Sequence, residues 1–149
     1  FRKGSPSVLG LTTGAISGLV AVTPAAGFVD PRGALIIGLL AGVVCYWGAT
    51  GLKRLLGADD SLDAFGVHGV GGILGAVLTG FFVSKEIAGV EPGLAQVMTQ
   101  LTGVGATLLF SGVMTFLILV SIDLMMGLRV TEEEERVGLD LSLHHERVE

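Results

Sequence analysis

The chain has 149 residues, of which 50% are hydrophobic, 15% are charged and 24 are glycine; soluble domains carry about 25% charged residues and about 7% glycine. With a mean hydropathy of +0.75, this is the composition of a membrane protein. The formal charge of −5 is carried largely by the tail, since seven of the 14 acidic residues follow position 130, and no basic patch exists to bind nucleic acid.

The chain begins Phe1-Arg2-Lys3, with no methionine and no signal-peptide pattern. This start reads as a loop between helices, and the chain as the C-terminal piece of a larger membrane protein. Four apolar segments follow. Residues 7–22 form the first, closed by the breaker "TPAAG" (23–27). Residues 33–55 form the second, entered through "DPRG" (30–33). Residues 63–83 and 94–126 form the third and fourth. A span needs roughly 20 residues. The first three are near that length. The fourth would rise about 50 Å against a hydrocarbon core of about 30 Å, and "QLTGVGATLLFSGVMTFLILV" (100–120) has no turn chemistry to break it. It is predicted as one long, steeply tilted helix. The fold class expected is an all-α, polytopic membrane helix bundle.

Alternating spans put Arg2, Lys3, Lys53, Arg54, Arg129, Arg136 and Arg147 on one side and only Arg32 and Lys85 on the other. The excess of Lys and Arg marks the first side as cytoplasmic, so residues 127–149 are expected inside the cell. Tyr46 and Trp47 fit either an inner aromatic belt or ordinary helix packing. Small residues recur at four-residue spacing: Gly10, Gly14 and Gly18; Ala34, Gly38 and Gly42; Gly71 with Gly75; Ala76 with Gly80. This spacing predicts close helix packing, in place of the hydrophobic drive that lipid removes. The lone Cys45 has no partner for an internal disulfide and reads as packing.

"DAFGVHGVGG" (63–72) holds the ionisable side chain that stands out. His68 is the one titratable residue between Ala64 and Val83. At that depth an imidazole reads as functional, the alternative being a neutral core histidine bonded to a backbone carbonyl. On an α-helical count His68, Gly72 and Gly75 share a face, so the ring would look across a groove of small residues. Counted from Asp63, the ring lies only about 7–8 Å into the helix, so a mid-membrane role needs an inward-dipping loop. Asp63 is the expected N-cap. Asp59 reads as a solvated loop residue, Asp60 as loop or as part of a charge network at an inner mouth. Asp123 is placed at the water interface or against an arginine.

Three stretches carry a family resemblance: "GLVAVTPAAGFVDPRGALIIGLLAG", "DDSLDAFGVHGVGGILGAVLTG" and "GLRVTEEEERVGLDLSLHH". In that order they resemble the C-terminal part of the ammonium transporter (Amt/Mep/Rh) family, over essentially the whole chain. The resemblance implies the last four spans of an eleven-span, inverted-repeat homotrimer with one pore per subunit. It implies ammonium or ammonia as substrate, a plasma (inner) membrane location and a cytoplasmic C-terminus. His68 matches the second of two pore histidines, the first lying in a half not present here. Thr23 matches a position close to the pore, and Ala64 one near its cytoplasmic constriction. Family members often carry a larger aliphatic residue at the latter, so a looser constriction is expected. Asp60 and Asp63 are the supporting charges. Seven further spans with one buried histidine are expected upstream of Phe1.

The tail has its own grammar. Thr131-x-x-Glu134 is a capping box and Gly138 suits a helix stop, which predicts a short helix at about 132–137; the alternative is a solvated, disordered tail. By the resemblance Gly127, Leu128, Arg129, Glu135, Gly138, Leu139 and Asp140 match a regulatory motif that helps control opening, with the PII signal protein as partner. Thr131, Val137 and His145 depart from it. His144 and His145 lack a spaced third ligand, so no metal is expected. No nucleophile, metal cluster or phosphate loop is evident, so neither an enzyme nor a cofactor is expected. The alternative to transport is an ammonium sensor read out through the tail; the absence of a fused output domain before Glu149 tilts the reading to transport.

Overall fold

The computed structural model describes residues 7–146. The loop reading of Phe1-Arg2-Lys3 and the contribution of Arg147 to sidedness lie outside the described residues. Among the described residues the regular elements are helices, with a single antiparallel bridge between Val29 and Val83. The all-α expectation holds. Two compact units divide the chain, one up to Ala106 and one from Thr107.

In the first unit α1 runs Val8–Val22, starting where the Ser7 side chain accepts from the Gly10 N–H. A single 3₁₀ turn, Thr23–Ala25, ends it at Pro24, and the chain reverses. Helix α2, Pro31–Trp47, has proline at its first position and Asp30 as N-cap, with Oδ1 accepting from Gly33 N at 2.7 Å. It continues through a π-helical segment, Gly48–Leu52, into α3, Lys53–Leu56, and stops at Gly57 in the left-handed conformation (φ 59°). A second π-helical segment, Phe65–Gly69, leads into α4, Val70–Phe82. A short α5, Lys85–Ala88, precedes α6, Leu94–Met126, whose 33 residues form one unbroken helix.

Helices α1, α2 and α4 pack on one another around Ala21, Ala25, Ile37, Ala41 and Cys45. Among the described residues only Ile37 and Cys45 are sizeable fully buried side chains, so close approach of backbones replaces side-chain volume. A Cβ on Gly75 would lie 2.0 Å from the Ala21 carbonyl oxygen, and one on Gly80 2.7 Å from the Val97 Cα. The buried hydroxyls stay satisfied within their own helices, Ser17 donating to the Thr13 carbonyl and Thr79 to that of Gly75. At the end of the unit near Asp30, Ser84 N donates to Phe28 O at 2.8 Å. The glycine expectation holds on α4, at Gly71, Gly75 and Gly80. It does not hold within this chain for Gly14, Gly18, Gly38 and Gly42, whose Cβ positions meet nothing within 4 Å.

Among the described residues four helical stretches are long and apolar enough to cross a membrane: Val8–Ala25, Pro31–Leu56, Phe65–Phe82 and Leu94–Met126. The chain is that of a multi-pass membrane protein.

The second unit contains the end of α6, then α7, Glu132–Val137, and α8, Leu139–Ser142. The capping box is present in both directions. Thr131 Oγ1 accepts from Glu134 N, and the Glu134 carboxylate accepts from Thr131 N at 2.8 Å.

Candidate functional site

The residues around His68 are arranged by a helix crossing. The two π-helical segments meet at Gly48 and Gly66. A Cβ on Gly48 would sit 2.7 Å from the Gly66 carbonyl oxygen, and one on Gly66 2.6 Å from the Ala49 nitrogen. No side chain fits there, so the main chains touch. Gly66 and Val67 are buried in the crossing, and the Cys45 thiol donates to the Val67 carbonyl at 3.7 Å. His68 follows directly and is exposed in this chain. The Phe65 ring covers Gly69 so closely that a Cβ there would meet it at 2.7 Å.

Helical segments with one extra residue per turn are uncommon and occur often at functional sites. The wide turn also changes the face on which His68 stands. An α-helical count aligned it with Gly72 and Gly75, but each extra residue shifts the register by about 100°. Gly75 is buried against Ala21, whereas His68 is exposed and Gly72 has open space at its Cβ.

The loop before the turn corrects the capping expectation. Asp63 is not the N-cap. It has positive φ (55°) and its Oδ1 accepts from the Lys53 ammonium at 2.8 Å, which ties α3 to the loop. Asp60 takes the capping role instead, its two oxygens accepting from Ala64 N at 2.8 Å and Phe65 N at 2.9 Å. Desolvation pushes the Asp60 pKa up. The N–H groups of Ala64, Phe65 and Gly66 and the charge of Lys53 outweigh it and hold the carboxyl below its usual range.

Thr23 opens the 3₁₀ turn after α1, exposed, with Oγ1 donating back to the Leu19 carbonyl at 2.7 Å. Ala64 is exposed at the head of the wide turn. Helix α1 packs against that turn, whereas the 3₁₀ turn that bears Thr23 packs against α1 and α4.

In the second unit, Gly127 (φ 81°) and Gly138 (φ 98°) adopt conformations that suit glycine. Between them the Arg129 guanidinium donates to both carboxylate oxygens of Glu135, at 3.0 and 3.2 Å. Leu139 and Asp140 open α8. The Glu134 carboxyl is held below its usual range, first by the Thr131 hydroxyl and then by the Thr131 N–H. No group of three metal-ligating side chains exists among the described residues.

The profile of the Ammonium Transporter Family matches residues 1–149. An ammonium transporter of Bacillus subtilis is 46% identical over 149 residues, 95% of this chain and 37% of that protein. One from Aquifex aeolicus is 48% identical over 152 residues, 99% of this chain and 36% of that protein. The crystal structure of Saccharomyces cerevisiae Mep2 superposes with a TM-score of 0.80 at 38% identity, covering 89% of this chain and 32% of Mep2. Candida albicans Mep2 gives 0.78 at 35% identity, covering 90% of this chain and 32% of that one. The chain thus spans little more than a third of the length of the relatives it matches, and over that span it belongs to the ammonium transporter family.

Proposed function

We propose that the protein carrying this chain moves ammonium across the plasma membrane, with His68 as half of a proton-handling histidine pair in a narrow, largely dehydrated pore. The observation that carries the reading is the position of His68: an ionisable ring, exposed on an apolar span, presented by a wide helical turn whose Gly66 and Val67 are pinned in a crossing. The family of the chain and the names of its relatives support the substrate.

The chemistry follows from solvation. A bare ammonium ion in a dry apolar tube costs tens of kcal/mol by Born estimates, whereas neutral ammonia enters readily. An imidazole offers one acceptor and one donor when neutral, so a pair can bind ammonia and pass the released proton along separately. In this reading Thr23 and Ala64 line the pore near His68, and the small Ala64 leaves a loose constriction. Asp60 and Asp63 support its inner mouth. The tail faces the cytoplasm of a homotrimer, where the motif from Gly127 to Asp140 acts as a gate and as a docking element for a PII-type protein.

The test is replacement of His68 by leucine in the full-length protein, reconstituted in proteoliposomes. Ammonium-evoked current is expected to disappear. An unchanged current overturns the reading.

A further inference from the structure

We infer that Gly72 sets the width of the passage beside His68, and so confines its solutes to amines about as small as ammonium and methylammonium. The inference rests on the reading of His68 above and adds the residue that limits solute size there.

Six glycines stand between Ala64 and Val83. Five have a structural reason within this chain. A Cβ on Gly66 would meet the Ala49 nitrogen at 2.6 Å, and one on Gly69 the Phe65 ring at 2.7 Å. On Gly71 it would meet the Cys45 Sγ at 3.0 Å, on Gly75 the Ala21 carbonyl oxygen at 2.0 Å and on Gly80 the Val97 Cα at 2.7 Å. Gly72 has no such neighbour: among the described residues nothing lies within 4 Å of its Cβ position. Nor does its backbone require glycine, since it is inside α4 and is not among the residues of positive φ. In a helix interior glycine is about 0.5–1 kcal/mol less favourable than alanine. The fold therefore carries a cost at Gly72 that no contact in this unit explains.

The position of Gly72 relative to His68 supplies a reason. It follows four residues later, close to one helical turn, so it stands next to the imidazole about 6 Å further along the axis. Cα–Cβ bonds in a helix tilt toward its N-terminus, so a side chain at position 72 would lean back over residue 68. Without one, bare main chain adjoins an exposed ring. On the other side of the ring, four residues earlier, Ala64 contributes a single methyl group, also exposed. The strip from Ala64 to Gly72 thus presents an imidazole flanked by a methyl group and by no side chain at all. A solute hydrogen-bonded to the ring is then limited by the free space over Gly72. Ammonia brings no carbon to that space, and each carbon added to the amine competes for the volume that a Cβ would fill.

The experiment uses the full-length protein in proteoliposomes, with Gly72→Ala and Gly72→Leu. Uptake of ammonium and of methylammonium is measured beside the melting temperature of the purified protein. Gly72→Ala is expected to melt at or above the wild-type temperature, because alanine suits a helix interior better. It is expected to slow methylammonium about tenfold, the scale on which a close-fitting site discriminates one carbon, and ammonium no more than about threefold. Gly72→Leu should stop both. Unchanged uptake in either variant, or equal slowing of the two solutes by Gly72→Ala, overturns the inference. A lower melting temperature of Gly72→Ala, or its failure to accumulate, also overturns it, because Gly72 is then a packing residue against another part of the protein. The two readings fail separately. A His68→Leu protein that still conducts removes the proton-handling role of His68, whereas a Gly72→Ala protein of unchanged selectivity removes only the size limit.

Discussion

The carbonyl oxygen of Gly66 occupies the space that a Cβ on Gly48 would need, 2.7 Å away, and the same crossing places Gly66 itself 2.6 Å, by its would-be Cβ, from the Ala49 nitrogen. Both obstacles are main chain, so neither can rotate aside. Alanine at either glycine forces the α2 and α4 arms apart. Overpacking of this kind costs typically 1–3 kcal/mol. Gly66→Ala is expected to lower the melting temperature of the purified full-length protein, and Gly75→Ala to lower it further, because its Cβ would meet the Ala21 carbonyl oxygen at 2.0 Å. A Gly75→Ala protein that melts with the wild type contradicts this packing.

The ion pair between Lys53 and Asp63 holds a residue whose backbone is left-handed (φ 55°). That conformation costs an ordinary residue roughly 1–2 kcal/mol. A partly exposed pair returns about 0.2–1 kcal/mol. The two effects separate by substitution. Asp63→Gly removes the pair and the strain together and should leave stability near wild type. Asp63→Ala removes the pair and keeps the strain, so it should be the less stable of the two, with Asp63→Val lower again. Thermal unfolding of the three variants checks the order; alanine matching glycine refutes it.

The sequence was informative where hydrophobic length and capping chemistry decide the structure. The helical class, the apolar helix of α6 from Leu94 to Met126 and the capping box at Thr131 could all be read directly, because each is a local property. The wide turns were not legible. Nothing in "GATGL" or "FGVHG" differs from an α-helical pattern, and the extra residue is imposed by the main-chain contact between Gly48 and Gly66. For the same reason the four-residue glycine ladders missed that closest crossing of α2: neither glycine belongs to one. Asp63 was expected to cap because it immediately precedes the apolar run. The structure turns its side chain to Lys53 and brings in Asp60 from three residues earlier, a choice set by the left-handed backbone at Asp63.

The capping carboxylate also predicts a pH dependence. The folded pKa of Asp60 is depressed, with desolvation opposing and the three N–H groups and Lys53 prevailing. The cap therefore stabilises the fold fully above the unfolded carboxylate pKa, about pH 4, and the contribution is lost as pH falls through the lower, folded value. The difference in melting temperature between wild type and Asp60→Asn is expected to be constant from pH 8 to pH 5 and to shrink below about pH 4. A difference that changes between pH 6 and pH 8 points to another group.

In the tail, α7 is only six residues long, and such a helix is marginal without help from its ends. The help is local: the Thr131 hydroxyl accepts from Glu134 N, while Glu134 closes the box on Thr131 N. Beside the box, Arg129 grips Glu135 through both carboxylate oxygens, and Arg136 pairs with Glu132 at 2.6 Å. Exposed pairs of this kind contribute about 0.2–1 kcal/mol, whereas loss of an N-cap side chain costs typically about 1 kcal/mol. The cap should dominate. Thr131→Ala is expected to raise amide hydrogen exchange across residues 132–137 roughly fivefold, the equivalent of that cost. Thr131→Ser, which keeps the hydroxyl, should leave exchange near wild type, and Arg136→Ala should change it by less than Thr131→Ala. If Arg136→Ala has the larger effect, charge pairing and not the capping box holds α7 together.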